Sequence, residues 1–224
     1  VTEHPLVRVV NDRFGGVLSH GSHDPDGLAC INEAANVARG NDWGDLPDKA
    51  GLPDSRSLND GPWSSNRART DAMLPLGVAL WDWSDWTPKR RTAWAQRVSE
   101  RTIREILPIA LRAAGLTAEA ERCEREGAGW AAGAAVPPPW APPPWALSLS
   151  PQAAAKSSVA WAQAWARQVT FASWARTSKS AREMQVAYTS SAAKSAMQAA
   201  LAVQESADDV LRLACRIWIE EAKP

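Results

Sequence analysis

Two of the three histidines stand three residues apart in Ser19-His20-Gly21-Ser22-His23-Asp24, and Cys30 and Glu33 follow shortly after. No other stretch gathers as many potential ligand or proton-transfer groups. Imidazole and thiolate suit zinc and other transition metals. A catalytic arrangement would take His20, His23 and either Cys30 or Asp24 as ligands and leave Glu33 as general base to a metal-bound water. That reading is a metal-dependent hydrolase. The spacing matches no established zinc motif, and a structural reading is favoured over it. In that reading the histidines bond backbone groups around a tight turn, Asp24 caps a helix, Cys30 packs in the core and Glu33 answers an arginine. Cysteine-nucleophile chemistry is weaker still, because a cysteine inside an apolar helical pattern is usually an inert core residue.

Other patterns that could do chemistry also have simpler explanations. Lys156, Arg167, Arg176, Lys179, Arg182 and Lys194 interleave with Trp161, Trp165, Phe171, Trp174 and Tyr188. Such a surface could track phosphates and stack the bases of a single-stranded nucleic acid. Yet Trp161 and Trp165 at i, i+4 read as a core ridge, and six cations over this length make a thin field, so nucleic-acid binding is a third option only. Trp81, Trp83 and Trp86 flank Asp82 and Asp85; a helix-end cluster sealing the core is expected there rather than a sugar platform. There is no Gly-rich phosphate loop, no Gly-x-Ser-x-Gly elbow and no His-Glu-x-x-His helix. Basic and acidic residues balance at 25 each, which excludes a strong global field for nucleic acid or an anionic membrane. Their distribution is uneven. Residues 1–60 hold five basic against ten acidic residues, and residues 152–206 hold six against two, so the two regions are expected to contact each other.

The elements that would position these groups are helical, and the fold class is expected to be all-α. Residues 1–62 are rich in Gly, Pro, Asp and Asn, which predicts irregular backbone interrupted by one helix near Asp26–Val37, with Asp24 as cap, Pro25 at its first position and Gly40 as stop. Asn59-Asp60-Gly61-Pro62 has turn chemistry. Helical spacing then runs over about 65–82 and again from Thr87-Pro88 through Ile103, Ile106, Leu107 and Ala110, with Pro75 and Pro108 expected to kink or end their helices. A short helix is predicted from Thr117 to Glu126, ending at Gly127.

Pro137-Pro138-Pro139-Trp140-Ala141-Pro142-Pro143-Pro144-Trp145 favours an extended, semi-rigid spacer. From Gln152 to Lys223 there is neither Gly nor Pro, and alanine dominates. A single helix over 152–206 would run about 80 Å, far beyond the roughly 17 Å radius of gyration of a compact chain this long. A hairpin broken near Thr177–Ser180 or Thr189–Ser191 is therefore expected. A last helix would follow, capped by Ser206, with Val210, Leu213, Ala214 and Ile217 as its apolar stripe. The predicted organisation is a helical region 1–126, a Pro/Trp-rich linker 127–151 and an Ala-rich hairpin with final helix 152–224.

Cys30, Cys123 and Cys215 are few, odd in number and far apart, which points to a reducing compartment. The opening Val1-Thr2-Glu3-His4-Pro5 lacks the basic and apolar pattern of a signal peptide, and no apolar run approaches membrane-spanning length. A soluble, intracellular protein is expected, in a bacterial cytoplasm or a phage particle.

One resemblance bears on this. Leu18-Ser19-His20-Gly21-Ser22-His23, Cys30-Ile31-Asn32-Glu33-Ala34-Ala35, Arg39-Gly40, Asn59-Asp60 and Arg69-Thr70-Asp71-Ala72-Met73-Leu74-Pro75 resemble an uncharacterised bacterial and phage protein family. Its pattern is a Gly-x-His turn, a Cys-x-x-Glu-Ala helix, an Asn-Asp pair and a Leu-Pro helix. The similarity covers about residues 14–112. Related chains often continue into Ala-rich helices similar to 152–222, usually with Tyr where Trp stands here. The resemblance implies no activity. It implies a phage, prophage or mobile-element setting, and marks His23, Cys30, Glu33, Asn59 and Asp60 as the matching candidates for a binding site.

The expected function is a non-enzymatic helical binding or scaffold protein that self-associates or grips a protein partner. Trp140, Trp145, Trp161, Trp165 and Trp174 are its candidate interface residues, since aromatic anchors and Arg dominate interface energetics. This reading needs no cofactor. The alternative centred on His20 and His23 needs zinc or a similar metal.

Overall fold

A computed structural model describes residues 3–20, 23, 25, 27–113, 117–127 and 207–223. Among these residues the protein is all-helical, as expected. The chain divides into two units, residues 1–91 with 207–224, and residues 92–206.

The first unit begins with a helix that composition concealed. In α1 (Pro5–Arg13) the His4 ring accepts from the Leu6 N–H at 3.2 Å as N-cap, Pro5 occupies the first turn, and Leu6 and Val10 are buried one turn apart. Helix α2 spans Ile31–Ala38, so it starts five residues later than the expected Asp26, and Cys30 rather than Asp24 is the residue before it. Two single turns, α3 (Pro47–Ala50) and α4 (Arg56–Asn59), add structure where only irregular backbone was expected. Glycine ends α2 and α3: Gly40 has φ +74° and Gly51 φ +65°, the left-handed conformation that closes a helix.

Helix α5 (Asn66–Ala79) is the hub. Ser65 caps it, and α1, α2 and α4 pack against it. Of the two outcomes expected at Pro75, a kink or an end, the helix does not end there: the ring lies on the exposed side, and the helix runs one more turn to Ala79. Gly77 lets three helices converge, because a Cβ there would stand 2.8 Å from side-chain carbons of both Leu6 and Ile31.

A 3₁₀ turn (Trp81–Asp85) follows, with Trp83 and Trp86 buried and their rings 5.1 Å apart. The Arg39 guanidinium covers the Trp81 face at 3.9 Å, while His4 meets that ring edge-on at 4.9 Å. Arg90 covers Trp86 at 3.9 Å. Trp83 and Trp86 are buried and the cluster seals the core, as expected, with Trp81 half-exposed.

The final helix, α6 (Ala207–Ala222), closes the first unit on α5. Val210, Leu211, Ala214, Cys215, Ile217, Trp218 and Ala222 are buried, with Leu213 only half so. Its close approach rests on Gly61, where a Cβ would lie 2.8 Å from a Leu211 methyl. The Asp208 carboxylate takes the Ser64 N–H at 2.8 Å and its hydroxyl at 2.5 Å, and Arg90 donates to the Ala222 carbonyl at 3.2 Å.

The helix Pro88–Arg101 opens at Thr87, whose hydroxyl accepts from the Arg90 N–H at 3.2 Å. In the second unit a π-helical turn, Thr102–Ile106, precedes the helix Leu107–Ala113. The Leu107 N–H reaches Thr102 O, one residue farther back than in an α-helix. A register shift of this kind absorbs the donor that Pro108 lacks, so this proline interrupts the helical pattern without ending it. Thr117–Glu126 is helical and stops at Gly127, as predicted. Arg112 grips Glu124 with two bonds of 2.6 and 2.7 Å.

The linker 127–151, the hairpin, the Ser206 cap and Trp140, Trp145, Trp161, Trp165 and Trp174 lie outside the described residues, apart from Gly127.

Candidate functional site

The polar centre of the first unit is the N-terminus of α2. Four N–H groups at a helix start lack partners within the helix, and a capping box satisfies two of them. Here Cys30 takes the cap: its thiol accepts from the Glu33 N–H at 3.5 Å, and Glu33 Oε2 reaches back to the Cys30 N–H at 2.7 Å. The same carboxylate oxygen meets His23 Nδ1 at 2.6 Å. On the other side of the ring, Nε2 lies 2.6 Å from the His20 carbonyl. The His23 and Glu33 side chains are 5% and 3% exposed.

These distances define what the ring can do. A carbonyl oxygen only accepts, so Nε2 must carry hydrogen. Nδ1 faces Glu33 Oε2 at hydrogen-bond distance, so both ring nitrogens already have partners within the cluster. His20 is exposed and enters the cluster through its backbone carbonyl. Among the described residues no group of three or more His, Cys, Asp or Glu side chains is placed to hold a metal ion. Glu33 answers His23 and a backbone N–H rather than the arginine expected for it. Cys30 serves as a cap rather than as a residue inside the helix. Burial pushes its thiol up to about 12, against the opposing effect of the Glu33 N–H, so it is protonated at neutral pH and a poor nucleophile.

Asn59 links this centre to α5. Its carbonyl oxygen accepts from the Ile31 N–H at 3.3 Å, and its amide donates to the Ser19 carbonyl at 3.1 Å and to Asp60 at 2.9 Å. Arg69, from α5, donates to the Asn59 carbonyl at 2.7 Å and to the Asn66 side chain. Burial draws the Arg69 guanidinium below its usual range, with Asp60 and Asp208 acting in the other direction. All five residues expected to form a binding site are therefore neighbours in one bonded network. Asp24 lies outside the described residues.

The network also uses residues that sequence reasoning passed over. Thr70 accepts from the Leu18 N–H at 2.7 Å, and the Ser19 N–H donates to Ala29 O at 2.8 Å, so the segment carrying the histidines is pinned at both ends. The Trp43 indole donates to the His23 carbonyl at 3.3 Å. Asn32 and Asn36, one turn apart and fully buried in α2, hold the carbonyls of Asp45 at 3.0 Å and Gly44 at 2.6 Å. Two asparagines at i, i+4 on an otherwise apolar helix face were the available signal, because a buried amide must find partners.

No protein-family model, curated protein or solved structure matches the chain. Among the described residues no helix is long and apolar enough to cross a membrane.

Proposed function

We propose that the protein is a non-enzymatic helical binding or scaffold protein that associates with itself or with a protein partner. One observation carries this reading: both ring nitrogens of His23 are committed, to Glu33 and to the His20 carbonyl, inside a cluster shielded from solvent. The groups best suited to chemistry are thus occupied in holding a loop to a helix start. The Cys30 thiol is protonated and buried, which weighs against a nucleophilic role. The Ala- and Trp-rich composition of residues 152–206 supports a surface that is packed against. A phage or mobile-element setting belongs to the same proposal.

The test is sedimentation of the full, untagged chain over a wide concentration range, with metal content measured on the same sample. Concentration-dependent association without stoichiometric metal supports the proposal. A monomer carrying one metal per chain, lost together in His20→Ala and His23→Ala, would replace it with the metal-dependent hydrolase.

A further inference from the structure

Helix α1 is capped by a side chain that can change its charge. Pro5 has no N–H, and the Arg8 N–H reaches the His4 carbonyl at 3.0 Å, so the helix itself leaves open the first-turn donors of Leu6 and Val7. His4 Nδ1 accepts the Leu6 N–H at 3.2 Å. Leu6 is fully buried, so water is a poor substitute for that acceptor. An imidazole nitrogen accepts a hydrogen bond only while it carries no proton. The cap therefore requires the neutral ring with its hydrogen on Nε2, and a proton on Nδ1 would set two donors against each other. The N-terminal end of a helix also disfavours added positive charge.

The surroundings act in the same direction. The half-buried ring meets Trp81 at 4.9 Å, and the Arg39 guanidinium lies 3.9 Å from the same indole, fixed there by bonds to the Ala50 and Trp81 carbonyls. Burial draws the His4 pKa below its ordinary value of 6.5; Asp82 opposes this, and Arg39 adds to it. The other charged groups nearby are engaged or distant along their elements. Glu3 accepts from the Asn11 amide at 3.1 Å, and Glu33 of α2 is bonded to His23 and Cys30. On α5, Arg67, Arg69 and Asp71 occupy the first two turns, at the end away from Trp81, and Arg67 pairs with Asp71 at 3.0 Å. The capped residue matters to packing, since Leu6 is one of the two side chains that press on Gly77 where α1, α2 and α5 converge. We infer that His4 is a pH-sensitive cap: protonation at Nδ1 breaks its bond to the Leu6 N–H and releases the first turn of α1 from α2 and α5, while the closure of α6 on α5 persists. The cap is complete above about pH 6.5 and is lost as pH falls from there through the lower folded value.

The experiment is amide hydrogen exchange of the full chain at about pH 7.5 and about pH 5, read as protection factors so that the intrinsic pH dependence of exchange is removed. His4→Asn supplies a cap that does not titrate, and His4→Ala removes the cap at both pH values. In the wild type, protection of the amides of residues 8–13 is expected to fall about tenfold on acidification, with α6 unchanged. His4→Asn should stay protected at both pH values, and His4→Ala should be about tenfold less protected than wild type already at pH 7.5. The ¹⁵N shifts of the His4 ring should report hydrogen on Nε2 at pH 7.5. Wild-type protection that does not change with pH would overturn the inference, as would an equal loss in His4→Asn, which would place the titrating group elsewhere. An α6 loss as large as that of α1 would make the transition global and overturn the local release. So would hydrogen on Nδ1 at pH 7.5, or His4→Ala as well protected there as wild type.

Discussion

Replacing His23 with alanine separates a structural histidine from a ligand. The substitution removes two bonds of 2.6 Å, one to Glu33 and one to the His20 carbonyl. A hydrogen bond involving a charged group contributes about 1.5–3 kcal/mol and a neutral one about 0.5–1.5 kcal/mol. The loss also strips Glu33, 3% exposed, of its side-chain partner and leaves it the Cys30 N–H. Water can enter the vacated space, since Pro25, Gly27 and Leu28 nearby are exposed, and this offsets part of the cost. The expected destabilisation is about 3 kcal/mol, a large share of the roughly 5–15 kcal/mol that keeps a domain folded. His20→Ala keeps the backbone carbonyl and should fall within about 0.5 kcal/mol of wild type. The assay is urea unfolding of both variants, with Glu33→Ala and the His23/Glu33 double variant completing a cycle. A coupling of about 1 kcal/mol or more is expected between His23 and Glu33. Equal effects of the two histidine substitutions, or no coupling, would refute the argument.

Two further outcomes follow from the closure of α6 on α5. Gly61→Ala presses a methyl to within 2.8 Å of the fully buried Leu211 and 3.2 Å of the Leu58 carbonyl, so a loss of about 1–3 kcal/mol is expected in thermal or urea melts. In a Leu211→Ala background the same change should cost far less; an undiminished cost would show that Leu211 is not the obstruction. For Asp208, burial raises the carboxyl pKa, but the bonds from Ser64 together with the charges of Arg212 and Arg69 leave the folded value below the usual one. Its contribution is therefore complete above about pH 4 and is lost as pH falls through the lower folded value. Because the pair is largely exposed, the stability gap between wild type and Asp208→Asn should be below about 1 kcal/mol. It should stay constant from about pH 5 to 8 and shrink toward pH 3; a gap unchanged at pH 3 contradicts this assignment.

Much of the architecture was legible because it depends on local chemistry. Thr87-Pro88 opens a helix and Gly127 ends one through the conformational limits of those residues alone. The apolar positions of the last helix also declared its buried face. The α2 start misled for a physical reason: Asp24-Pro25 is a sound local start signal, but it competes with a capping box at Cys30 and Glu33 whose carboxylate is also held by His23. The single turns α3 and α4 are too short for periodicity to register.

The sequence by itself determined that the described residues are helical, where some of their helices stop, and that His20, His23, Cys30 and Glu33 gather near one helix start, while Asn59 and Asp60 entered as candidates only through the family resemblance. Only the tertiary structure decided what that group does. Residue type and spacing cannot say whether an imidazole lone pair faces a solvent-filled space or a carbonyl, because that depends on how a distant helix start and loop are brought together. Here Asn59 and Thr70 pin the loop so that both ring nitrogens turn inward, and those bonds span up to 52 positions of sequence.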